Sequence, residues 1–218
     1  MPDLVVFDCD GVLVDSEMLA GEALRAVHRA HGIEISAELF ASIIGMKSAD
    51  GLAALARATG RALPPGAEAE LWPATAAVFR ERLRPSDGVV DLLAGSRLQR
   101  CVASSSHPER IRLSLAVAGL QRFFEPDAVF SASQVERGKP APDLFLYAAA
   151  RMGVEPGRCA VIEDSRFGIM AAKAAGMMAI GYVGGSHAAP SAGAILTEAG
   201  ADWVSASMAE IATRLGSD

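Results

Sequence analysis

The sequence predicts an α/β protein: a doubly wound, Rossmann-like parallel sheet carrying an inserted α-helical domain near its N-terminus. Short apolar runs end near Asp8, Ser104, Ser131, Glu163 and Val183. In the latter half of the chain each run is followed by helical periodicity, the pattern of strands joined by crossover helices that cover both faces of a sheet. Between Val14 and about Ser86 the periodicity is helical throughout, and nothing there reads as a strand.

Leu4-Val5-Val6-Phe7 forms the first predicted strand and stops abruptly in Asp8-Cys9-Asp10-Gly11-Val12. Helical spacing then recurs at Leu19, Ala23, Leu24 and Val27, at Leu39, Phe40, Ile43 and Ile44, at Leu52, Leu55 and Ala56, and at Leu71, Ala74 and Val78. Asp15 and Ser16 are expected to cap the first of these helices and to form a hinge. Cys101-Val102-Ala103 is a strand running into Ser104-Ser105-Ser106. The next helix, Pro108 to Ala118, stops at Gly119, and another, Pro142 to Met152, stops at Gly153, with proline in front and glycine just past the end. Ala160-Val161-Ile162 ends in Glu163-Asp164-Ser165. The helix from Ser165 to Ala175 has Lys173 in its last turn and Gly176 after it. Ala174 to Thr197 lacks Asp, Glu, Lys and Arg but is broken by Gly181, Gly184, Gly185, His187, Pro190 and Gly193, so it reads as a strand followed by a loop and not as a membrane span. The expected division is a discontinuous core, residues 1–13 and 87–218, and a helical insertion, residues 14–86. An insertion there is expected to hang over the C-terminal strand ends, where ligands of open α/β sheets bind.

With 218 residues, 51% of them hydrophobic, the chain has enough apolar material for a folded core. A formal charge of -6 favours solubility and argues against a general affinity for nucleic acid. No signal peptide is visible. Three cysteines, Cys9, Cys101 and Cys159, lie in or beside apolar strands without disulfide spacing, which suits buried thiols in a reducing cytoplasm. No nucleic-acid or membrane partner is expected. Nothing fixes the oligomeric state, and a monomer is consistent with the composition.

Acids at two strand ends are the chemical signal. Asp8 and Asp10, one residue apart with Gly11 relaxing the backbone, suit two jobs: one carboxylate attacks while the other shuttles a proton. On its own such a pair often marks only a solvated strand end. Glu163-Asp164 strengthens the case, because acids gathered together need a cation, a proton or a basic residue to compensate them. A hard divalent ion fits, and magnesium, which keeps its waters and needs few protein carboxylates, fits best. Gly138-Lys139-Pro140 supplies a positive point charge. A lysine is usually a solvated surface residue, but the chain has only Lys47, Lys139 and Lys173. Ser104-Ser105-Ser106 sits between a strand and a helix start, an anion site by geometry, with helix capping by Ser106 as the simpler alternative.

These four elements, in this order, resemble the haloacid dehalogenase superfamily of aspartate-nucleophile phosphotransferases, and the resemblance spans nearly the whole chain. Asp8-Cys9-Asp10-Gly11-Val12 is similar to the first motif, Ser104 to the second, Lys139 to the third and Glu163-Asp164 to the fourth. Val-Asp-Ser-Glu at Val14 to Glu17, the helical insertion and the Gly-Lys-Pro form resemble the helical-cap subgroup that includes β-phosphoglucomutase and many sugar-phosphate phosphatases. The resemblance implies a two-step phosphoryl transfer. Asp8 attacks phosphorus to form an aspartyl-phosphate, which water hydrolyses. Asp10 protonates the leaving alcohol and then deprotonates the water, so it must begin protonated, which a crowded acidic site encourages. Mg2+ is implied at Asp8, the Asp10 carbonyl and Asp164, with Glu163 as a ligand or behind one, and Ser104, Ser105 and Lys139 grip the phosphoryl oxygens.

In the insertion, Gly45-Met46-Lys47-Ser48 is similar to the family's substrate-specificity loop, which makes Gly45 and Lys47 candidate substrate contacts, although an exposed turn lysine explains Lys47 equally well. Arg80, Arg82 and Arg84 could reach an acidic substrate, but most of them are expected to form a solvated face. His107 stands near the serines, at a helix start that explains it as well as phosphate contact does. His28, His31 and His187 lack metal-ligand spacing and are set aside. The substrate class is a small phosphorylated metabolite, such as a sugar phosphate or a sugar-acid phosphate like 6-phosphogluconate. A phosphosugar mutase is the main alternative. It is disfavoured by Ala20, because the mutase pattern has a histidine about there contacting the proton-transfer residue. From another class, a non-hydrolytic phosphoacceptor or binding protein needs no helical insertion, and a silent relative would be expected to have lost Asp8, Asp10 or Lys139.

Overall fold

The computed structural model describes residues 1–43 and 48–216. The chain divides into two compact units, Met1–Asp15 with Arg84–Asp218, and Ser16–Leu83.

In the first unit, strands β1 (Leu4–Phe7), β2 (Gln99–Ser104), β3 (Val129–Ser131), β4 (Cys159–Glu163), β5 (Met178–Tyr182) and β6 (Trp203–Ser205) form one parallel sheet in the order β3-β2-β1-β4-β5-β6. The second unit carries the first four helices, α1 (Glu17–Ala30), α2 (Ala37–Ala41), α3 (Ser48–Thr59) and α4 (Leu71–Arg82); α5 (Val89–Gly95), α6 (Pro108–Val117), α7 (Asp143–Met152), α8 (Arg166–Ala174), α9 (Ala192–Glu198) and α10 (Met208–Leu215) belong to the first. The strands are short apolar runs because both faces are covered. Leu4, Val6, Cys101 and Val161 meet Leu144, Phe145 and Ala148 of α7 and Ile169 of α8 on one face. On the other, Val5 and Phe7 look toward Leu92 and Leu93 of α5 and Leu215 of α10.

The strand order positions the site. From β1 the chain winds outward through β2 and β3, then returns to the opposite side of β1 to place β4, β5 and β6. Winding therefore reverses between β1 and β4, and ligands of open sheets bind in the crevice beyond the C-terminal strand ends at such a reversal. Phe7 lies level with Ile162, and the Asp8 N–H donates to the Ile162 carbonyl at 3.0 Å. Asp8 and Glu163-Asp164, 155 residues apart in the chain, thus leave adjacent strands at the same height.

The second unit is helical, with no strand among its described residues. Helices α1 and α4 are tied by Arg82, whose Nη1 donates to both carboxylate oxygens of Glu22 at 2.7 and 2.8 Å. Ile35, Phe40, Ile43 and Leu55 form its small apolar cluster. Gly21 allows the Phe40 ring to lie against α1 where a Cβ would otherwise stand. His28, buried on α1, donates from Nδ1 to the Leu24 carbonyl at 2.8 Å, an ordinary satisfied histidine.

Two local expectations are corrected, and one strand has no counterpart among them. The loop expected after β5 ends in α9, whose Ala- and Gly-rich sequence carries no charge until Glu198 and so gives little periodic signal. β6 is only three residues long, too short to announce itself by alternation. Asp15 is not spent on capping α1: its Oδ1 accepts from the N–H and the hydroxyl of Ser186 at 3.2 and 2.8 Å, which pins the loop after β5.

Candidate active site

Asp8, the first residue past β1, is buried at 7% exposure, and Lys139 Nζ donates to its Oδ1 at 2.6 Å. The same ammonium donates to the Ala103 carbonyl at 3.1 Å and to Glu163 Oε1, and lies 4.9 Å from the centre of the Phe145 ring. Glu163, 1% exposed, uses its other oxygen to accept from the Ser165 N–H and hydroxyl at 3.0 and 2.9 Å, at the start of α8. Both oxygens of Glu163 are therefore engaged, one by the lysine and one by the helix start. Burial pulls the Lys139 ammonium down, but Asp8 and Glu163 together outweigh it and hold the lysine protonated above its ordinary range. Burial pushes Asp8 well above the usual carboxylate range, opposed by Lys139 and reinforced by Glu163, Asp164 and Asp10.

Asp164 is also raised, chiefly by burial and by Glu163, against a hydrogen bond from His187 that lowers it. His187 Nε2 lies 2.8 Å from Asp164 Oδ2. Gly11, at φ +76°, makes this packing possible, because a Cβ there would fall on the Asp164 carboxylate and 2.9 Å from the His187 ring. His187, set aside on spacing alone, thus belongs to the site. The strand order holds the missing signal: β5 neighbours β4, so the loop after β5 runs beside the acids after β4.

Asp10 has different company. Arg110 reaches its Oδ1 with Nε at 3.1 Å and Nη2 at 2.6 Å, and the Ser106 hydroxyl donates to its Oδ2 at 2.5 Å. At hydrogen-bond distance Asp10 therefore meets a guanidinium and a hydroxyl, while its charge also bears on Asp8. Ser104, at the end of β2 and buried, accepts from the Ser106 N–H at 3.1 Å, while Ser105 is exposed. Ser106 does not cap α6; His107 occupies that position, accepting from the Glu109 N–H. Neither Arg110 nor Ser106 stands out in the sequence as a partner of Asp10, since Arg110 and Arg112 look alike in the first half of a helix.

Cys9 is fully buried, and burial followed by the flanking acids pushes its thiol well up, so it is no rival nucleophile. Gly45 and Lys47 lie outside the described residues. Among the described residues no helix is long and apolar enough to cross a membrane.

A buried carboxylate clamped by a buried lysine thus stands at the reversal of a doubly wound sheet. The chain belongs to the haloacid dehalogenase-like hydrolases, whose sequence model matches residues 2–176. It lies with the phosphatases of that family. The fructose-1-phosphate phosphatase YqaB of Escherichia coli is 34% identical over 179 residues, which cover 81% of this chain and 94% of the relative. The 6-phosphogluconate phosphatase of the same organism is 28% identical over 190 residues, 86% of each chain. Among solved structures, the haloacid dehalogenase-like protein ATU0790 of Agrobacterium tumefaciens matches with a TM-score of 0.87 at 35% identity, over 99% of this chain and 98% of that one.

Proposed function

We propose that this enzyme is a magnesium-dependent phosphatase that hydrolyses a small phosphorylated metabolite, a sugar phosphate or sugar-acid phosphate, through an aspartyl-phosphate on Asp8. The observation that carries the reading is the buried contact of Lys139 with both Asp8 and Glu163. It is expensive to bury unless all three charges are held in place, and it fixes Asp8 by one oxygen, Oδ1, at the strand end. In the first step an Asp8 oxygen attacks phosphorus, the bond to the leaving oxygen breaks, and Asp10 gives that oxygen a proton. In the second, water attacks the same phosphorus, Asp10 takes its proton, and the Asp8 carboxylate is released with phosphate. Ser104, Ser105 and Lys139 hold the phosphoryl oxygens, so catalysis rests on positioning and charge.

The donor set suits magnesium. Asp8, Glu163 and Asp164 gather at one strand edge around Lys139, an acid-rich oxygen donor set of the kind a hard divalent cation takes. The upward push on Asp8 and Asp164 is what a nearby cation would relieve. Among the described residues no three His, Cys, Asp or Glu side chains gather into a metal cluster. The resemblance of the motifs supplies the holding set: the ion would be held by Asp8, Asp164, the Asp10 carbonyl and water, with Glu163 as a ligand or behind one. When bound, it would neutralise charge on the phosphoryl oxygens.

Substrate selection is assigned to the helical unit as a cap, with Gly45 and Lys47 as its candidate contacts. The names of the two Escherichia coli relatives support the substrate class. The test is phosphate release across a panel of phosphorylated metabolites with magnesium. Turnover of at least one sugar or sugar-acid phosphate is expected, and Asp8→Asn should abolish it. Substantial activity in that variant refutes the nucleophile, and stable phosphorylation without release favours a phosphoacceptor.

A further inference from the structure

Arg110 is a long side chain only 23% exposed, and its guanidinium reaches Oδ1 of Asp10, itself 11% exposed, with two nitrogens, Nε at 3.1 Å and Nη2 at 2.6 Å. We infer that Arg110 is a positioning residue for Asp10, holding Oδ1 from two nitrogens and so fixing the direction in which the carboxyl group faces. The inference rests on the phosphatase reading and extends it to a residue outside the four motifs.

The two oxygens of Asp10 are made unequal by their partners. A guanidinium has only N–H donors and does not lose its proton in proteins, so the oxygen it grips stays an acceptor. A serine hydroxyl both donates and accepts. The Oδ2 atom, 2.5 Å from Ser106 Oγ, is therefore satisfied in either protonation state: ionised, it accepts from the hydroxyl, and protonated, it donates to it. A proton shuttle must pass through both states. Ser106 is in turn held on both sides of its backbone, its N–H by Ser104 Oγ at 3.1 Å and its carbonyl by the Ser131 hydroxyl at 2.7 Å. Fixing a proton donor to one rotamer and one oxygen is how a protein turns a mobile acid into an efficient one.

Leaving-group chemistry separates these roles. When the P–O bond of a sugar phosphate breaks, the departing alkoxide must receive the Asp10 proton. The nitrophenolate of p-nitrophenyl phosphate departs without one. The ratio kcat/KM covers only the steps up to that departure, so it isolates the proton donation. We expect Arg110→Ala to lower kcat/KM for a hexose phosphate by about 100-fold and that for p-nitrophenyl phosphate by less than ~5-fold, the selectivity shown by Asp10→Asn. Guanidinium ion in solution should restore part of the lost hexose phosphate turnover. If the alanine variant does not fold by circular dichroism, Arg110→Lys, which keeps the charge but not the two-donor grip, should show the same selectivity. Equal losses for both substrates in a folded variant, or no loss for either, overturn the inference while leaving the phosphatase reading intact. Absence of turnover by the unmutated enzyme overturns both.

Discussion

An ammonium group at 6% exposure is costly to desolvate, and Lys139 meets that cost with two carboxylates, a carbonyl and an aromatic face. Removing it leaves Asp8 and Glu163 buried together without their shared cation. Lys139→Met, close in length but neutral, is expected to lower stability by about 3–5 kcal/mol, seen as a shift of the urea midpoint, and to abolish phosphate release. A variant of wild-type stability would show that the buried charges are not interdependent. At this scale the sequence was informative where residue type was unusual. A lysine between Gly138 and Pro140, one of three in the chain, and acids at the ends of apolar runs could be recognised. Arg110 and His187 could not, since nothing in local spacing separates them from surface residues.

Helix α8 comes so close to the end of β4 that residue 168 has no room for a side chain: a Cβ there would land on the Glu163 carboxylate, which Lys139 and Ser165 already hold. Gly168→Ala would ordinarily favour a helix interior by about 1 kcal/mol. Here it is expected to destabilise by about 1–3 kcal/mol in urea unfolding, because the buried carboxylate cannot yield. Stabilisation would mean that Glu163 moves freely. On the same layer, Asp202 joins two elements, accepting from Lys173 of α8 at 2.8 and 2.9 Å and from the Ala179 N–H of β5 at 2.7 Å. Burial pushes its carboxyl up, but these donors outweigh burial and hold it below the usual aspartate range. A depressed carboxylate stabilises the fold above its unfolded value and loses that contribution as pH falls through the folded one. Because the pair is exposed and screened by solvent, wild type should exceed Asp202→Asn by only about 0.5 kcal/mol near neutrality, and the gap should close as pH drops from about 4. A gap independent of pH would assign the effect to packing. The helix ends in this half of the chain were legible because proline, glycine and serine mark them. α9 and β6 were not, the one lacking charge contrast and the other lacking length.

For the whole molecule, a cation bound among the buried acids of the site would make ligand binding and stability one property. Magnesium that binds only the folded protein should raise its melting temperature, by the equivalent of about 2.7 kcal/mol at a hundredfold excess over Kd. The rise should shrink in Asp164→Asn. An equal rise in both proteins would place the ion elsewhere. The reversal of winding between β1 and β4 is what gathers these charges, and it is a property of strand order that no single segment contains.

Apolar runs ending in acids, helix punctuation and helical periodicity from Val14 to Ser86 were enough to determine the α/β class and its motif residues, because those signals depend on neighbours within a few positions. Tertiary structure alone decided which charges meet: Lys139 with Glu163 as well as Asp8, His187 with Asp164, and Arg110 with Asp10. Those pairings join residues that are 23 or more positions apart, and they exist only because parallel strands in one order bring their C-terminal ends to a common edge.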